Sequence, residues 1–509
     1  MTTRRCLWAL IAGTAALRLL FAAGLGPGND EAYHYLLAVH PDWSYYDHPP
    51  MMALVERLGL AIGGTSPFAL RLGFVGLFAG TTWLMARLTA RCYGETAGLI
   101  AAVLLNATAY YGVAASTFAL PDGPLAFFWL LTLDRLLAAF SEPEKLGRWA
   151  WAGAAWGGAM LSKYHGLLLP AGAVFYLLIE PPARPVLRLP GPYLSVAIGL
   201  VVFGPVIGWN AAHGWASFAF QGARAAGGGF RPDALLGAIG GQALYLLPWI
   251  WMPLLIALAG CAGRLWRRDA TIPDKFLLAM AVVPSTAFLI VACRRAVLPH
   301  WSLIGFLAVL PMLGRDWSRL DLGRVRRRAI WALSVPIALA GLVVAQARLG
   351  LVPTPRPSQD PTVDLVGWDQ VAAELGRRGL LDDPRAFLFT GKWYHSGQLA
   401  FATGNRVPVL CYNPKGAHNF AYWSRPESWV GRDGILVVVN ASDVEPQAYA
   451  PWFRRIEAVG DFEVTRAGGP IRAIHVYRCV EQLRPFPFDG VEGPRPALVD
   501  RGDGGSRAR

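Results

Sequence analysis

The amino-acid sequence predicts an α-helical polytopic membrane protein with a small α/β domain near its C-terminus. Three observations lead to this fold class. Of the 509 residues, 54% are hydrophobic and only 16% are charged, whereas about a quarter of the residues in a soluble domain are charged. Apolar windows of about 20 residues, long enough to span a bilayer, recur along the first two thirds. Beyond about residue 350 they give way to short β-prone runs.

The apolar windows predict about eleven transmembrane helices. We interpret the first as a retained helix and not a cleaved signal peptide, because its apolar run continues to about Gly26 and many spans follow. The segment 149–180 is left open between two short helices and one long tilted helix. The predicted spans are residues 6–26, 67–87, 95–113, 121–140, 149–163, 166–180, 191–211, 241–263, 274–293, 297–314 and 329–348.

The distribution of lysine and arginine among the loops predicts the orientation of the chain in the membrane. With the N-terminus in the cytoplasm, every predicted cytoplasmic loop is basic, as the positive-inside rule requires. The net charge of +13 therefore reflects topology, and no nucleic-acid partner is expected. The sequence predicts a multi-pass protein of the cell inner (plasma) membrane with a periplasmic or extracellular C-terminal domain.

The C-terminal third predicts a soluble α/β domain over residues 351–482, after a membrane domain of residues 1–350 and before a disordered tail of residues 483–509. Strands alternate with helices here. Cys411 and Cys479 either form a disulfide or stay as buried thiols. The predicted strands are "AFLFT" (386–390), "VPVLCY" (407–412), "GILVVVN" (434–440) and "IRAIHVYRC" (471–479), and the predicted helices are residues 368–380 and 394–404.

The stretch "GNDEAYHYLLAVHPDWSYYDHPPMM" follows the first span and is dense in ionisable and aromatic residues. Its first part predicts an amphipathic helix at the membrane interface with its polar face outward. Asp30 stands at the start of this helix, where it is either a helix cap or a functional carboxylate. Asp47 and His48 precede two prolines that let a second interface helix begin at Met51. The neighbouring carboxylate and imidazole of Asp47 and His48 could bind a divalent ion or a phosphate.

Ionisable residues from distant segments are predicted to lie on the same non-cytoplasmic side. Asp122 lies between two prolines at the end of a span, and Lys163 and His165 interrupt an apolar run. Arg294 and Arg295 lie on the side where basic residues are unexpected, and arginine pairs phosphate oxygens. Charges near a membrane are costly and usually pair or face a functional cavity. This convergence indicates a functional site.

These motifs together resemble the membrane glycosyltransferases of family 39 and their bacterial relatives, which include the protein O-mannosyltransferases and the aminoarabinose transferase that modifies lipid A. The resemblance covers about residues 1–350 and implies the type C glycosyltransferase fold. The matching pieces, in the family's order, are "DEAYHYL", "WSYYDHPPM", "LPDGPLAFFW", "LSKYHGLLLP" and "RRAVLPHWS".

The resemblance implies an inverting transfer of a sugar from a polyprenyl-phosphate donor on the outer face. Asp30 would be the principal catalytic residue, Asp122 the second acid, and Glu31 a further catalytic candidate. Asp47-His48 resembles a Glu-Lys pair of the aminoarabinose enzyme that contacts metal and phosphate, but histidine replaces the lysine, which leaves the metal open. The candidate substrate-binding residues are Tyr33, His34, Tyr46, Asp47, His48, Lys163, Tyr164, His165, Arg294, Arg295 and His300.

The expected partners are the polyprenyl-phosphate-linked sugar, membrane lipids, and an acceptor that is lipid A, another glycolipid, a polysaccharide or a protein. A divalent metal ion at Asp47 and His48 is an open expectation, and no organic cofactor is expected. Two other classes remain: a transporter or flippase of lipid-linked sugar, which would leave its substrate intact, and a non-catalytic envelope assembly subunit, which would tolerate Asp30→Asn.

Overall fold

The computed structural model describes residues 2–440 and 445–489, with only the backbone of Ala225, Leu322 and Ser358. The chain divides into two compact units. Unit 1 comprises the residues up to Leu25 together with His48–Gly208 and Ala219–Val344. Unit 2 comprises Gly26–Asp47, Trp209–Phe218 and the residues from Ala345 onward. The last division between the units, at residues 344 and 345, is close to the predicted boundary near residue 350. The first loop (Gly26–Asp47) and residues 209–218 group with the C-terminal region.

Helices dominate the chain before residue 350. Among the described residues, seven helices are long and apolar enough to cross a membrane, and the bent pair of α5 with the helical turns after it makes an eighth. The α-helices are α1 Thr3–Gly24, α2 Asn29–Val39, α3 Met51–Gly63, α4 Pro67–Tyr93, α5 Glu95–Ala107, α6 Ala115–Thr117, α7 Asp122–Ser141, α8 Leu146–Ser162, α9 Leu168–Ile179, α10 Gly191–Ala212, α11 Ala216–Ala225, α12 Pro232–Leu246, α13 Pro248–Trp266, α14 Ile272–Ala292, α15 Phe306–Ser318 and α16 Leu322–Leu349.

Three of the eleven predicted spans form helices shorter than 18 residues, the length taken here as the minimum for a membrane span. They correspond to α8, α9 and α15, with 17, 12 and 13 residues, whereas a bilayer core takes about 20. Lys163 ends α8 in an extended conformation, so the segment 149–180 is two short helices and not one long tilted helix. A multi-pass helical membrane protein is confirmed, with seven or eight candidate spans by this criterion.

Local signals in unit 1 set where helices begin and end. Ser66 caps α4, accepting a hydrogen bond from the Ala69 amide at 3.2 Å, and Pro67 occupies the first helical position. Gly94 ends α4 with a φ of 93°, which glycine adopts readily. The buried Arg71 of α4 donates through Nη1 to the carbonyls of Ala22 and Leu25, each at 2.9 Å. These bonds satisfy carbonyls at the end of α1 that have no partner within the helix.

Unit 2 contains a five-stranded mixed sheet in the order β2-β1-β3-β5-β4. β1 is parallel to β2 and to β3, whereas β5 is antiparallel to β3 and to β4. An aromatic core that includes Phe387, Phe389 and Trp429 packs on the sheet. The strands are β1 Ala386–Thr390, β2 Val409–Cys411, β3 Asp433–Val439, β4 Phe453–Arg466 and β5 Gly469–Gln482, and the helices are α17 Trp368–Arg377, α18 Trp393–Ala402 and α19 Phe420–Trp423.

The four predicted strands and two predicted helices of this region are all present, but β4 was not predicted. Its pattern of mostly exposed residues lacks the apolar run or alternation that signals a strand. Cys411 and Cys479 are both buried free thiols. They lie on β2 and β5, three strand spacings or roughly 14 Å apart, which exceeds the reach of a disulfide. Of the predicted tail, residues 490–509 lie outside the described residues.

Helix α2 is built into unit 2 by close packing on α18. A Cβ at Gly397 would lie 2.7 Å from the Tyr33 amide nitrogen, so only glycine permits this approach of the two backbones. Gln398 Nε2 donates to the Pro27 carbonyl at 2.9 Å and to Asn29 Oδ1 at 3.1 Å. Residues 31–38 are all buried, so α2 forms as predicted but does not present the expected outward polar face. α3 begins at Met51, as predicted.

Candidate functional site

The predicted site residues are divided between the two units. Unit 2 holds Asp30, Glu31, Tyr33, His34, Tyr46 and Asp47. Unit 1 holds His48, Asp122, Lys163, Tyr164, His165, Arg294, Arg295 and His300.

In unit 2, the two adjacent acids of α2 have different surroundings. Glu31 is buried and its Oε2 accepts a hydrogen bond from the Gly28 amide at 2.9 Å, which caps the start of the helix. Asp30 is exposed, and its side chain makes no hydrogen bond or ion pair with any described residue. The cap that could have been assigned to Asp30 is therefore made by Glu31. The Asp30 carboxylate is left available to a ligand.

Asp47 is a buried carboxylate held by three donors from unit 2. Its Oδ2 accepts from the Tyr33 hydroxyl at 2.9 Å and lies 3.0 Å from His418 Nδ1. Its Oδ1 accepts from Asn419 Nδ2 at 2.8 Å. Burial, with the Asp47 charge adding to it, raises the pKa of the Tyr33 hydroxyl well above its ordinary range. Tyr33 therefore remains a donor to Asp47 at any physiological pH.

His418 and Asn419 were not predicted from the sequence. His418 has a φ of 51°, a backbone conformation that is uncommon outside glycine and is enriched at functional sites. Asn419 also accepts from the Tyr46 amide at 2.9 Å through Oδ1. The only local signal is a polar His-Asn pair after the turn residues Asn413-Pro414 and before an apolar helix. Its partner lies about 370 residues away, which no local pattern reveals.

Aromatic side chains surround the Asp47 network. Tyr46 stacks on Tyr422 with ring centroids 5.7 Å apart, and Trp209 stacks on His213 at 4.0 Å. Trp209 Nε1 donates to Asp42 Oδ2 at 2.8 Å. Aromatic faces beside hydrogen-bonding groups suit the apolar faces and hydroxyls of a sugar ring. His34, by contrast, is buried within α2 at 3% exposure.

In unit 1, Asp122 and Lys163 form a buried ion pair. Lys163 Nζ lies 2.9 Å and 3.0 Å from the two Asp122 oxygens, and the side chains are 11% and 12% exposed. Asp122 is the first residue of α7, directly after Pro121, and Lys163 directly follows α8. The predicted second acid and the predicted phosphate-binding lysine are thus partners of each other.

Aromatic rings and imidazoles lie near this pair in unit 1. His300 stacks on Tyr110 with centroids 5.4 Å apart, and Tyr110 also stacks on Tyr245 at 5.6 Å. His165 packs on Phe288 at 4.5 Å. The Nε2 atom of His165 is buried and has no hydrogen-bond partner among the described residues. Such an atom is costly to leave unsatisfied, so His165 Nε2 is a candidate contact for a ligand.

The remaining predicted residues of unit 1 differ in their exposure. Arg294 is exposed, whereas Arg295 donates through Nη1 to the carbonyls of Ala223 and Ala226 at 2.5 Å and 2.9 Å. Arg295 therefore holds the end of α11 and the residue that follows it, while Arg294 leaves its guanidinium accessible. His48 and Tyr164 are both half-buried.

Asp47 and His48 are the residues predicted to bind a divalent metal ion. Across residues 2–440 and 445–489, no group of three or more His, Cys, Asp and Glu side chains is arranged to hold a metal ion. Both Asp47 oxygens already receive hydrogen bonds from Tyr33, Asn419 and His418. A cation bound at Asp47 would have to displace some of these donors. Metal binding at Asp47 and His48 stays a prediction.

Residues 47–209 match the model of a protein family described as dolichyl-phosphate-mannose-protein mannosyltransferase. These residues, about a third of the chain, are similar to that family. The match confirms the predicted resemblance to the glycosyltransferases of this family. Asp47, Asp122 and Lys163 all lie in this matched segment, residues 47–209.

Two curated relatives align with parts of the chain. The lipid A galacturonosyltransferase RgtD of Rhizobium johnstonii is 30% identical over 189 residues, which are 36% of this chain and 38% of that protein. An uncharacterised protein of Aquifex aeolicus is 30% identical over 138 residues, or 26% of this chain and 27% of its own length. The alignments therefore span roughly a quarter to two fifths of these relatives.

Solved structures extend the likeness beyond the matched segment. ArnT from Cupriavidus metallidurans in the apo state has a TM-score of 0.59 at 16% identity, covering 92% of this chain and 97% of that one. The same protein bound to undecaprenyl phosphate gives 0.57 at 16% identity, with the same coverage of both chains. The oligosaccharyltransferase of Archaeoglobus fulgidus gives 0.50 at 15% identity, covering 80% of this chain and 64% of that one. At these identities the comparison establishes the fold, which is similar to that of ArnT.

Proposed function

We propose that the protein is an inverting glycosyltransferase that moves a sugar from a polyprenyl-phosphate donor to an envelope acceptor on the outer face of the membrane. The observation that carries the proposal is the buried Asp122–Lys163 pair inside the segment that matches the mannosyltransferase family. A cation held among aromatic rings in a membrane protein suits an anionic lipid-linked substrate. The ArnT structure with undecaprenyl phosphate supports a donor of this class.

The reaction requires a base and a means to stabilise the leaving phosphate. The acceptor hydroxyl attacks the anomeric carbon, the bond from that carbon to the phosphate oxygen breaks, and the polyprenyl phosphate departs with the bonding electrons. Asp30 is proposed as the base that takes the hydroxyl proton, because its carboxylate is exposed and unpaired among the described residues. Lys163 and Arg294 are proposed to stabilise the phosphate charge that develops.

The remaining side chains of unit 2 are proposed to position the sugar. Asp47 lies 3.0 Å from His418 Nδ1 and so orients the imidazole, which is proposed to help position the sugar. The stacked Tyr46 and Tyr422 offer ring faces to a pyranose. A divalent ion could add Lewis-acid stabilisation of the phosphate if one binds at Asp47 and His48.

The acceptor is proposed to be a glycolipid, with lipid A as the first candidate. This choice rests on the aligned relative RgtD, which is named as a lipid A galacturonosyltransferase. Other glycolipids, a polysaccharide or a protein remain as acceptors to include in the same assay. The sugar is identified by the assay itself.

The test uses purified protein in liposomes, a panel of radiolabelled polyprenyl-phosphate sugars, and lipid A or envelope extract as the acceptor. Asp30→Asn should lower the transfer rate by about 100-fold or more, the usual contribution of a general base. Asp369→Asn is the matched control, because Asp369 is also an exposed aspartate at the second position of a unit 2 helix. It should transfer at the wild-type rate.

Each other outcome identifies a competing function. Lipid-linked sugar that crosses between leaflets chemically intact would contradict transfer and indicate a transporter. Full cellular function with Asp30→Asn and no transfer from any donor would indicate an assembly subunit. Equal loss in Asp30→Asn and Asp369→Asn would show that the effect of Asp30→Asn is not specific to catalysis.

A further inference from the structure

A second candidate binding site lies in unit 1, around Arg18 of α1. Arg18 and Asn106 line a cavity of about 340 Å³ whose other walls are mostly apolar side chains of α1 and α16, such as Leu17, Phe21 and Ile337. This volume is within the range of small-ligand sites, about 300–1,000 Å³. No residue predicted from the sequence for the transfer reaction lines it.

The hydrogen bonds of Arg18 all go to neutral acceptors. Nε donates to Ser116 Oγ at 2.7 Å and to the Gly112 carbonyl at 3.2 Å. Nη2 donates to Asn106 Oδ1 and to the same Gly112 carbonyl, each at 2.8 Å. Nη1 donates to none of the described residues, and none of them provides a carboxylate within ion-pair distance. The side chain is nonetheless only 8% exposed.

A purely structural role explains part of this arrangement. The chain bends by 81° between α5 and the helical turns that follow it, and Arg18 binds the Gly112 carbonyl within those turns. That role accounts for Nε and Nη2. It leaves the positive charge without an anion and Nη1 without an acceptor. A charge in a membrane-spanning helix is costly unless it is paired, and the ring of Phe78, 4.6 Å from Cζ, offsets only part of that cost.

The opposite wall of the cavity is loosely covered. Only 11% of the most apolar window of α16 is buried within the protein, so most of this window is not covered by other parts of the chain. Gly341 lines the cavity and has no atom within 4 Å of where a Cβ would lie. Arg18 is six residues before Gly24, the last residue of α1, and therefore roughly 9 Å below that end of the helix. The cavity is thus apolar along its length and cationic close to one interface.

We propose that this cavity binds an anionic membrane phospholipid. Its phosphate accepts hydrogen bonds from Arg18 Nη1, and one acyl chain lies along the apolar walls of α1 and α16. The phosphate supplies the missing counter-charge, and the chain fills the space between the two helices. The proposal concerns a bound lipid that is neither donor nor acceptor, so it does not depend on the proposed transfer activity.

The test compares bound lipids by native mass spectrometry. Full-length protein is equilibrated with equal amounts of phosphatidylglycerol and phosphatidylcholine that carry identical chains. Wild type should retain phosphatidylglycerol preferentially. Arg18→Gln should weaken that retention roughly tenfold or more, the effect of losing a charge-assisted hydrogen bond. Gly341→Leu places a side chain in the cavity and should reduce retention of the lipid while leaving Arg18 in place.

Matched controls make the same two kinds of substitution elsewhere on unit 1. Arg5→Gln removes an exposed arginine from the same helix, and Gly13→Leu fills an open position on α1 outside the cavity. Both should retain lipid as wild type does. Equal retention of the two lipids by wild type, or unchanged retention in Gly341→Leu, would overturn the proposal even if Arg18→Gln failed to fold. Displacement by undecaprenyl phosphate but not by phosphatidylglycerol would also overturn it, by assigning the cavity to the donor.

Discussion

The charge of Lys163 is balanced inside unit 1 by the Asp122 carboxylate, so the same lysine has a structural and a proposed catalytic role. Both side chains are nearly buried, where an unpaired charge is unfavourable. The two roles can be separated by replacing both Lys163 and Asp122 with neutral residues. This double change leaves no unpaired buried charge, but it also removes the cation that is proposed to bind the phosphate.

Replacement of Lys163 by methionine should destabilise the protein by about 3–5 kcal/mol, since Asp122 is left as an uncompensated buried charge. The measurement is the thermal unfolding transition in detergent. Adding Asp122→Asn to Lys163→Met should restore most of the lost stability and leave sugar transfer abolished. A double variant that transfers sugar normally would exclude Lys163 from phosphate binding.

His395 should make the stability of unit 2 depend on pH. Burial, with Lys392 and Arg472 nearby, lowers the pKa of its imidazole to about 3, whereas an unfolded histidine titrates at about 6.5. Below pH 6.5 the unfolded chain takes up a proton that the folded chain does not, so stability falls as the pH falls towards 3. The melting temperature followed from pH 7 to pH 4 should show this slope.

The variant His395→Gln should flatten that slope, because glutamine has no proton to take up. His475→Gln on β5 is the comparison, and it should retain the contribution of His395. If the two variants had the same slope, His395 would not be the group responsible.

At the scale of elements, the contact of α2 with α18 decides where Asp30 is held. The two backbones approach at Gly397, and the Asp47 network adds Tyr33 of α2 to residues 418 and 419. The helix that carries the proposed base is therefore positioned by an element about 370 residues away. Sequence analysis predicted both helices, but it could not predict that they pack together, because no local pattern encodes such a contact.

Gly397→Ala should separate α2 from α18, since the new methyl carbon would lie within 3.0 Å of the Tyr33 and Ala32 backbones. Overpacking of this kind costs about 1–3 kcal/mol, and transfer should fall more than stability alone explains because Asp30 moves. The measurements are the melting temperature and the initial rate at a temperature where the variant is fully folded.

The matched control is Gly376→Ala in α17, where a Cβ would make only ordinary contact at 3.8 Å with Leu381. Alanine there should be neutral or slightly stabilising, because it favours the helix. Wild-type activity in Gly397→Ala would show that the close approach of α2 and α18 does not position the base.

At the scale of the whole molecule, apolar runs in the sequence predicted the helices and most strands, but contacts between residues far apart in the sequence could not be predicted. The fold class, the apolar helices and the buried strands β1, β2, β3 and β5 followed from runs of apolar residues. The edge strand β4, with mostly exposed side chains, did not. Asp122 and Lys163 were both selected as unusual charges, but their pairing is a tertiary contact. His418 and Asn419 were missed because ordinary loop composition surrounds them.

The predicted orientation can be tested with single cysteines in a variant that lacks the six native ones. Asp269 and Asp369 are both exposed, and the positive-inside rule places the first in the cytoplasm and the second outside. A membrane-impermeant maleimide applied to intact cells should label Asp369→Cys but not Asp269→Cys until the cells are opened. The reverse pattern would invert the topology.

The membership of Gly26–Asp47 in unit 2 has a consequence for building hybrids of related enzymes. A recombinant that exchanges only the segment after residue 345 would join one parent's α18 and Asn419 to the other parent's Tyr33 and Asp47. Crossovers should instead transfer the first loop and residues 209–218 together with the C-terminal segment. Libraries that recombine at all five boundaries between the two units should yield more folded hybrids than libraries cut at the single boundary near residue 350.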